Sequence, residues 1–163
     1  MLIRLKNKDT LNIDEFSFKC CIGKNGLKTK KVEGDLSTPK GTFLLKKIYY
    51  RSDRIRKINT ILPKIKIKNN MGWCNDPYHK DYNSLIKTSK KIRHEKLFRK
   101  DRKYDLIIVI DYNLNKVVPF KGSAIFIHLT KNYKPTAGCI ALSKNDMLVL
   151  LKIINKKTRI SVY

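Results

Sequence analysis

One histidine and one cysteine near the C-terminal end of the chain have the residue types for nucleophilic catalysis. His128 ends an apolar run that begins at Gly122, and Cys139 follows a polar loop in the segment Thr136-Ala-Gly-Cys. An imidazole can take the proton of a thiol, and the resulting ion pair stabilises the nucleophilic thiolate at neutral pH. The separation of eleven residues allows a strand end to meet a returning loop. These two residues alone support two interpretations equally: a catalytic pair, or a hydrogen-bonded strand histidine and a small core cysteine.

Gly138 immediately precedes the candidate nucleophile. Because glycine has no Cβ, the backbone can turn at this position so that successive N–H groups converge on one point, which is how an oxyanion hole forms. We expect its donors to be the main-chain N–H groups of Cys139 and Gly138, with that of Ala137 as a third candidate.

Most of the chain has the short, alternating or β-branched pattern of strands, bounded by Gly, Pro, Asn or Asp. The strands predicted from this pattern are residues 2–5, 16–22, 42–49, 65–67, 105–111, 123–129 and 158–162. Runs 105–111 and 123–129 are continuously apolar, as expected of central strands buried on both faces, whereas the others fit an antiparallel, half-exposed sheet. Residues 112–122 contain Asn, Pro and Gly and therefore predict an irregular hairpin connection between the two central strands.

One helix is predicted over residues 144–155. Ser143 is a suitable N-cap, Asp146 lies three residues further on, and the following Met, Leu and Ile residues form one apolar face. Residues 84–98 predict weaker helical turns lying over the sheet. No repeat or low-complexity linker divides the chain, so we expect a single domain over residues 1–163.

The composition narrows the class of protein. The chain has 37 Lys and Arg against 13 Asp and Glu, which gives a net charge of +24, and 42% of its residues are hydrophobic, which predicts a packed core. No apolar run is long enough for a membrane-spanning helix, and no secretory signal is visible. Of the basic residues, 29 are Lys, the weaker choice for reading bases, so we expect no specific nucleic-acid partner. A basic module that binds nucleic acid or another anionic polymer, with a structural Cys139, is nevertheless a rival interpretation.

The pattern of His, a spacer and Ser/Thr-x-Gly-Cys resembles the signature of the L,D-transpeptidase catalytic domain, the YkuD-like family. The segment Gly34-Asp35-Leu-Ser-Thr-Pro-Lys-Gly-Thr-Phe43 is similar to a second motif of that family, Gly-Asp-x-x-Thr-Pro-x-Gly-x-Phe. The likeness covers roughly residues 16–163. It implies a mainly β fold, a β-sandwich or barrel-like mixed sheet with one C-terminal helix and short helical turns.

The resemblance also implies roles for the catalytic residues. Cys139 would be the nucleophile and His128 its general base, oriented by the main-chain carbonyl of Leu129, with Gly138 in the oxyanion hole. The chain departs from the family pattern in having Ala137 where a His is common.

A second departure is Ala141, which stands where the family commonly has Arg. Backbone donation survives both changes, but side-chain contacts to the substrate are lost. Arg51, Arg54 or Lys134 are candidates for a replacement cation. Loss of turnover, leaving a glycan-binding relative, is another interpretation of these two alanines.

Several further positions are candidates for binding the substrate. They are Thr136, Ala137, Ser123, Trp73, Asp76, Tyr82, Asn83 and Arg51. For the group from Trp73 to Asn83, an equally open interpretation is that these residues pin a long loop to the sheet.

The function implied by the resemblance is cysteine acyl transfer on peptidoglycan stem peptides. Cys139 would cleave the amide between an L-residue and D-alanine, and the thioester would pass to an amine, giving a 3→3 cross-link, or to water. No cofactor or metal is needed, and the remaining His and Cys residues lack zinc-ligand spacing. Carbapenems would be expected to acylate Cys139. The resemblance implies the cell envelope or periplasm, whereas the sequence taken literally, without an export signal, implies the cytoplasm.

Overall fold

Strands account for all but one of the regular elements of the protein. The computed structural model describes all 163 residues, from Met1 to Tyr163. The strands are β1 (Leu2–Lys6), β2 (Thr10–Ile13), β3 (Phe16–Cys21), β4 (Leu27–Lys28), β5 (Thr38–Pro39), β6 (Gly41–Tyr50), β7 (Lys64–Lys66), β8 (Met71–Cys74), β9 (Leu85–Lys87), β10 (His94–Lys96), β11 (Leu106–Ile110), β12 (Phe126–Leu129), β13 (Ile140–Leu142) and β14 (Arg159–Val162), and the helix is α1 (Lys144–Ile153).

Eight of the strands form a closed barrel. Their order is β11-β12-β13-β3-β2-β1-β14-β6, β11 also pairs with β6, and β7 extends the sheet beyond β6. Three neighbouring pairs are parallel, namely β1 with β14, β12 with β13, and β6 with β7. The predicted mainly β, barrel-like mixed sheet is therefore confirmed. The expectation of an antiparallel sheet is wrong at these three pairs. The strands of each pair are joined by a connection that crosses back to the same end of the sheet, so both strands run in the same direction.

The two central strands predicted from the apolar runs are the hairpin partners β11 and β12. Every residue of β11 is buried. Successive side chains of β12 enter different cores, because side chains alternate across a strand. Ile127 lies in the larger core, together with Ile48 and Leu150 of α1, whereas Phe126 lies in a smaller core with Trp73 and Cys139.

A separate three-stranded sheet, in the order β10-β8-β9, contributes Trp73 to this smaller core. The ring of Trp73 packs edge to face against Phe126 and Tyr49, with ring centroids 5.1 and 6.2 Å apart. The prediction of helical turns over residues 84–98 is wrong, since this stretch supplies β9 and β10. Its apolar residues do not recur at helical spacing, and pairing with β8 satisfies its backbone instead.

The predicted C-terminal helix is confirmed as α1, which ends two residues before the predicted boundary. The Ser143 side chain accepts a hydrogen bond from the main-chain N–H of Asp146, as expected of an N-cap. Met147, Leu150 and Leu151 are buried against the barrel. The chain contains no helix that is long and apolar enough to span a membrane.

Candidate active site

Two neighbouring parallel strands bring His128 and Cys139 to the same face of the barrel. His128 of β12 is in register with Ala141 of β13, and Cys139 lies two residues before Ala141. Because side chains alternate along an extended chain, His128, Cys139 and Ala141 point to the same side. Both His128 and Cys139 line one cavity of about 1020 Å³.

The thiol of Cys139 is enclosed and carries its proton. Its Sγ–H donates to the main-chain oxygen of Ala124 over 3.1 Å, and the main-chain N–H of Phe126 points at Sγ from 3.4 Å. Burial, reinforced by the negative charge of Glu95, raises the pKa of Cys139 to about 12. The Phe126 N–H and the charge of Lys31 oppose this rise. The resting cysteine is therefore a neutral thiol.

The imidazole of His128 is oriented for use as a base. Its Nδ1 lies 2.9 Å from the main-chain oxygen of Leu129, a partner that only accepts, so Nδ1 carries the hydrogen and Nε2 the lone pair. Burial lowers the pKa of His128 to about 4, an effect that the Leu129 contact opposes and the charges of Lys103 and Arg99 reinforce. The imidazole is neutral at pH 7.

The resting site thus differs from the thiolate–imidazolium pair that the two residue types suggested. No hydrogen bond joins Cys139 to His128, and the thiol proton is held by Ala124. With both groups buried and neutral, an attack by the sulfur on a carbonyl would require the thiol proton to move to a base such as Nε2 at the same time. The arrangement therefore favours general-base activation over a preformed ion pair.

The turn before Cys139 depends on a glycine. Gly138 has φ +139°, and a Cβ there would lie 2.8 Å from the main-chain oxygen of Ser37. Its N–H donates to Thr136 Oγ1 over 3.1 Å, while the Thr136 hydroxyl donates to the oxygen of Cys139 over 2.6 Å. The expected oxyanion donor at Gly138 is consequently occupied, whereas the N–H groups of Ala137 and Cys139 donate to no protein acceptor.

The motif around Asp35 supports this turn from the other side. Thr38 Oγ1 donates to the oxygen of Gly138 over 2.8 Å and accepts from the N–H of Gly23 over 2.9 Å. The carboxylate of Asp35 accepts from both the N–H and the hydroxyl of Ser37. The two sequence motifs, a hundred residues apart, therefore meet at the candidate nucleophile.

Only three of the residues predicted to bind the substrate line the cavity. Ser123, Thr136 and Ala137 do so, and Lys134 is the one of the three suggested replacement cations that does. Trp73, Asp76, Tyr82, Asn83 and Arg51 lie outside the lining of the cavity.

The residues from Trp73 to Asn83 instead pin a loop, which was the alternative interpretation. Asn83 Oδ1 accepts from the Trp73 indole and from the N–H of Ala124, and its Nδ2 donates to the oxygens of Tyr112 and Asn113. Asn83 thereby fixes the segment whose Ala124 oxygen holds the Cys139 thiol.

Tyr82 and Asp76 have comparable structural contacts. Tyr82 Oη donates to Glu33 over 2.5 Å and accepts from the N–H of Gly122. Asp76 accepts from the N–H of Tyr78 in a turn. Neither residue contacts Cys139: Tyr82 joins two segments that are distant in sequence, and Asp76 closes a local turn.

Arg51 is committed elsewhere in the fold. Its guanidinium forms a bidentate ion pair with Asp53, donates to the oxygen of Arg99 and stacks 3.5 Å from the ring centroid of Phe98. Arg54 likewise pairs with Asp105. Both arginines are engaged in ion pairs, so neither one replaces the Arg that the family commonly has at the position of Ala141.

The sequence prediction omitted several charged groups that line the cavity, among them Lys31, Glu33 and Glu95. Glu95 accepts a hydrogen bond from Tyr104 Oη, and burial raises the pKa of its carboxyl. Neither glutamate forms an ion pair, although the chain has 37 basic residues. The sequence contained one signal that could have pointed to Glu95, because it is the only acidic residue between positions 82 and 100, a stretch rich in Lys and Arg. No group of three or more His, Cys, Asp and Glu side chains is arranged to hold a metal ion.

Comparison with known proteins identifies the family to which this chain belongs. The model of the L,D-transpeptidase catalytic domain family, YkuD, matches residues 3–162. The chain therefore belongs to the L,D-transpeptidase catalytic domain family. A search of curated proteins finds no match.

The solved structure of one protein supports this fold, and a second is reported beside it. The helical cell shape determining protein Pgp2 from Campylobacter jejuni is similar with a TM-score of 0.53 and 20% identity, over 99% of this chain and 46% of Pgp2. L,D-transpeptidase 1 from Mycobacterium tuberculosis is similar with a TM-score of 0.44 and 12% identity, over 99% of this chain and 57% of that protein. The chain thus spans less than half the length of Pgp2.

Proposed function

We propose that this chain is a cysteine acyltransferase that acts on peptidoglycan stem peptides, with Cys139 as nucleophile and His128 as general base. The observation that supports it most is that the two side chains share one cavity, on parallel strands of an L,D-transpeptidase catalytic domain. Peptidoglycan lies in the cell envelope, which is the proposed site of action.

The first half-reaction would begin with attack of Cys139 Sγ on the amide carbonyl between an L-residue and D-alanine. As the C–S bond forms, the thiol proton passes to His128 Nε2, whose partner Nδ1 stays hydrogen-bonded to Leu129. The tetrahedral oxygen would be received by the unoccupied N–H of Cys139, with that of Ala137 nearby. Collapse breaks the C–N bond, and the imidazolium returns the proton to the departing amine.

The second half-reaction would resolve the thioester on Cys139. An amine from another stem gives a 3→3 cross-link, whereas water gives an L,D-carboxypeptidase reaction, and in either case the acceptor loses a proton to His128. A carbapenem, as an activated acyl donor, would form the same type of adduct with Cys139. Ser123 and Thr136 line the cavity beside this position and are the proposed substrate contacts.

Incubation with a purified disaccharide-tetrapeptide tests the proposal. Mass spectrometry should detect loss of D-alanine, with or without formation of a dimer, for the unmodified chain. Cys139→Ala should abolish both products. Cys74→Ala is the matched control, because Cys74 is also buried but lies outside the cavity, and it should retain them. Release of D-alanine by Cys139→Ala would refute the assignment of the nucleophile, and salt-sensitive nucleic-acid binding without any release would favour the basic binding module instead.

A further inference from the structure

A buried lysine enters the cavity from the motif segment that precedes Asp35. Lys31 is only 6% exposed, and its side chain passes Gly122 so closely that a Cβ on Gly122 would lie 2.9 Å from Lys31 Cε. A buried lysine costs free energy unless its charge is compensated. Such a side chain therefore requires an explanation beyond solubility.

Asp35 holds the end of this side chain. Lys31 Nζ donates to Asp35 Oδ1 over 2.7 Å, and Asp35 is itself fixed by Ser37 and the N–H of Val32. Burial would raise the pKa of Asp35, but these hydrogen bonds outweigh it and lower the pKa well below its usual range. Lys31 lines the cavity whereas Asp35 does not, so the ion pair presents its positive end to the cavity.

The ammonium lies beside the turn that carries the nucleophile. Lys31 Nζ is 3.6 Å from the position that a Cβ would occupy on Gly138, the residue before Cys139. Its charge also acts on the sulfur, since it lowers the pKa of Cys139 against the larger effect of burial. A buried positive charge is thus fixed next to the atoms on which negative charge develops.

The ammonium has a hydrogen to spare. Of its three N–H donors, one is used by Asp35, and the only other contact is a long one of 3.5 Å to the oxygen of Val32. The main-chain N–H of Gly138, which would ordinarily complete an oxyanion hole, is occupied by Thr136 Oγ1. The Gly138 N–H is therefore not available to an oxyanion, whereas one N–H of the nearby Lys31 ammonium is available.

We propose that Lys31 is a catalytic residue whose ammonium donates a hydrogen bond to the oxygen of the tetrahedral intermediate formed at Cys139, beside the main-chain N–H of Cys139. This rests on the proposed function. Lys31 transfers no proton: the negative charge that appears on the oxygen as the C–S bond forms is lost when the C=O double bond re-forms and the C–N bond breaks. Asp35 positions the ammonium and takes no part in the reaction.

The test separates a donor to the oxyanion from a lysine that only supports the fold. Lys31→Met alone would leave the half-buried Asp35 without its shortest ion pair, so the informative variant is Lys31→Met with Asp35→Asn, which removes both charges together. Lys28→Met is the matched control. Lys28 also lies near Asp35, with Nζ 3.6 Å from Oδ2, but its side chain is 51% exposed and does not line the cavity.

Two probes of Cys139 are compared for each variant. Acylation by p-nitrophenyl acetate passes through a tetrahedral oxyanion, whereas alkylation by iodoacetamide does not. We expect the double variant to lose about 100-fold in the rate of acylation, the usual effect of one oxyanion donor, while its alkylation rate changes less than about threefold. Lys28→Met should leave both rates unchanged, and Cys139→Ala gives the background.

Equal loss in both rates would overturn the proposal, because a merely structural lysine would impair every reaction of the thiol alike. Unchanged acylation in the folded double variant, checked by circular dichroism, would overturn it too. Neither probe requires the natural substrate. A failure of the proposed function, seen as absent release of D-alanine by the unmodified chain, is therefore distinguishable from a failure of this inference.

Discussion

The neutral, buried state of His128 makes folding stability depend on pH in a defined direction. Its pKa is about 4 in the folded chain and 6.5 when unperturbed. Between these values the unfolded chain binds a proton that the folded chain excludes, so the free energy of unfolding falls as the pH falls through this window. The full shift corresponds to about 3 kcal/mol, of which about 2.5 kcal/mol is already lost at pH 4.5.

His128→Gln removes the titrating group while keeping a side chain that can donate to Leu129. Urea unfolding, followed through the fluorescence of the single Trp73, would be measured at pH 7.5 and 4.5 for both proteins. Contributions from the carboxylates cancel in the comparison when they do not depend on residue 128. The unmodified chain should lose about 2.5 kcal/mol more than His128→Gln on acidification. Equal losses would show that His128 is accessible or charged in the folded state and would refute the general-base reasoning.

Three further substitutions test individual contacts. Glu95→Gln should increase the rate of Cys139 alkylation at pH 8 several-fold, because it removes a negative charge that disfavours the thiolate, and a slower rate would contradict this electrostatic argument. Thr38→Val leaves a buried N–H and the Gly138 oxygen without partners, so urea unfolding should show a loss of about 2 to 4 kcal/mol, and a loss below about 0.5 kcal/mol would be inconsistent with the hydrogen bonds described. Arg51→Met should lower the free energy of unfolding by about 2 kcal/mol while leaving kcat/KM for D-alanine release unchanged, whereas a selective rise in KM would restore Arg51 to the substrate site.

The sequence predicts the main strands and the helix well because their signals are local. The apolar runs that became β11 and β12, and the cap at Ser143 before α1, depend only on neighbouring residues. The stretch that became β9 and β10 is different, since its strand character comes from pairing with β8 rather than from its own pattern. Parallel pairing also depends on contacts between segments that are distant in sequence, so the local pattern of apolar residues does not predict it.

In the candidate site, too, the residues identified from local sequence differ from those that depend on distant contacts. Thr136 and Ala137, which precede Cys139 closely in sequence, line the cavity, and their binding of a substrate stays a prediction. Trp73 and Asn83 were ambiguous because a buried aromatic and an amide serve a binding groove and a loop anchor equally well, and only the contacts distinguish these uses. Lys31 was indistinguishable by composition from the other lysines, since its burial depends on Gly122, which is far away in sequence.

The central claim is that the sulfur of Cys139 carries the acyl group. Intact-protein mass spectrometry after mixing with the disaccharide-tetrapeptide and rapid acid quenching measures this directly. The account predicts an adduct with the mass of the tetrapeptide donor less D-alanine, located on the peptide containing Cys139 and absent from Cys139→Ala. An adduct on another residue, or release of D-alanine without any adduct on Cys139, would contradict it.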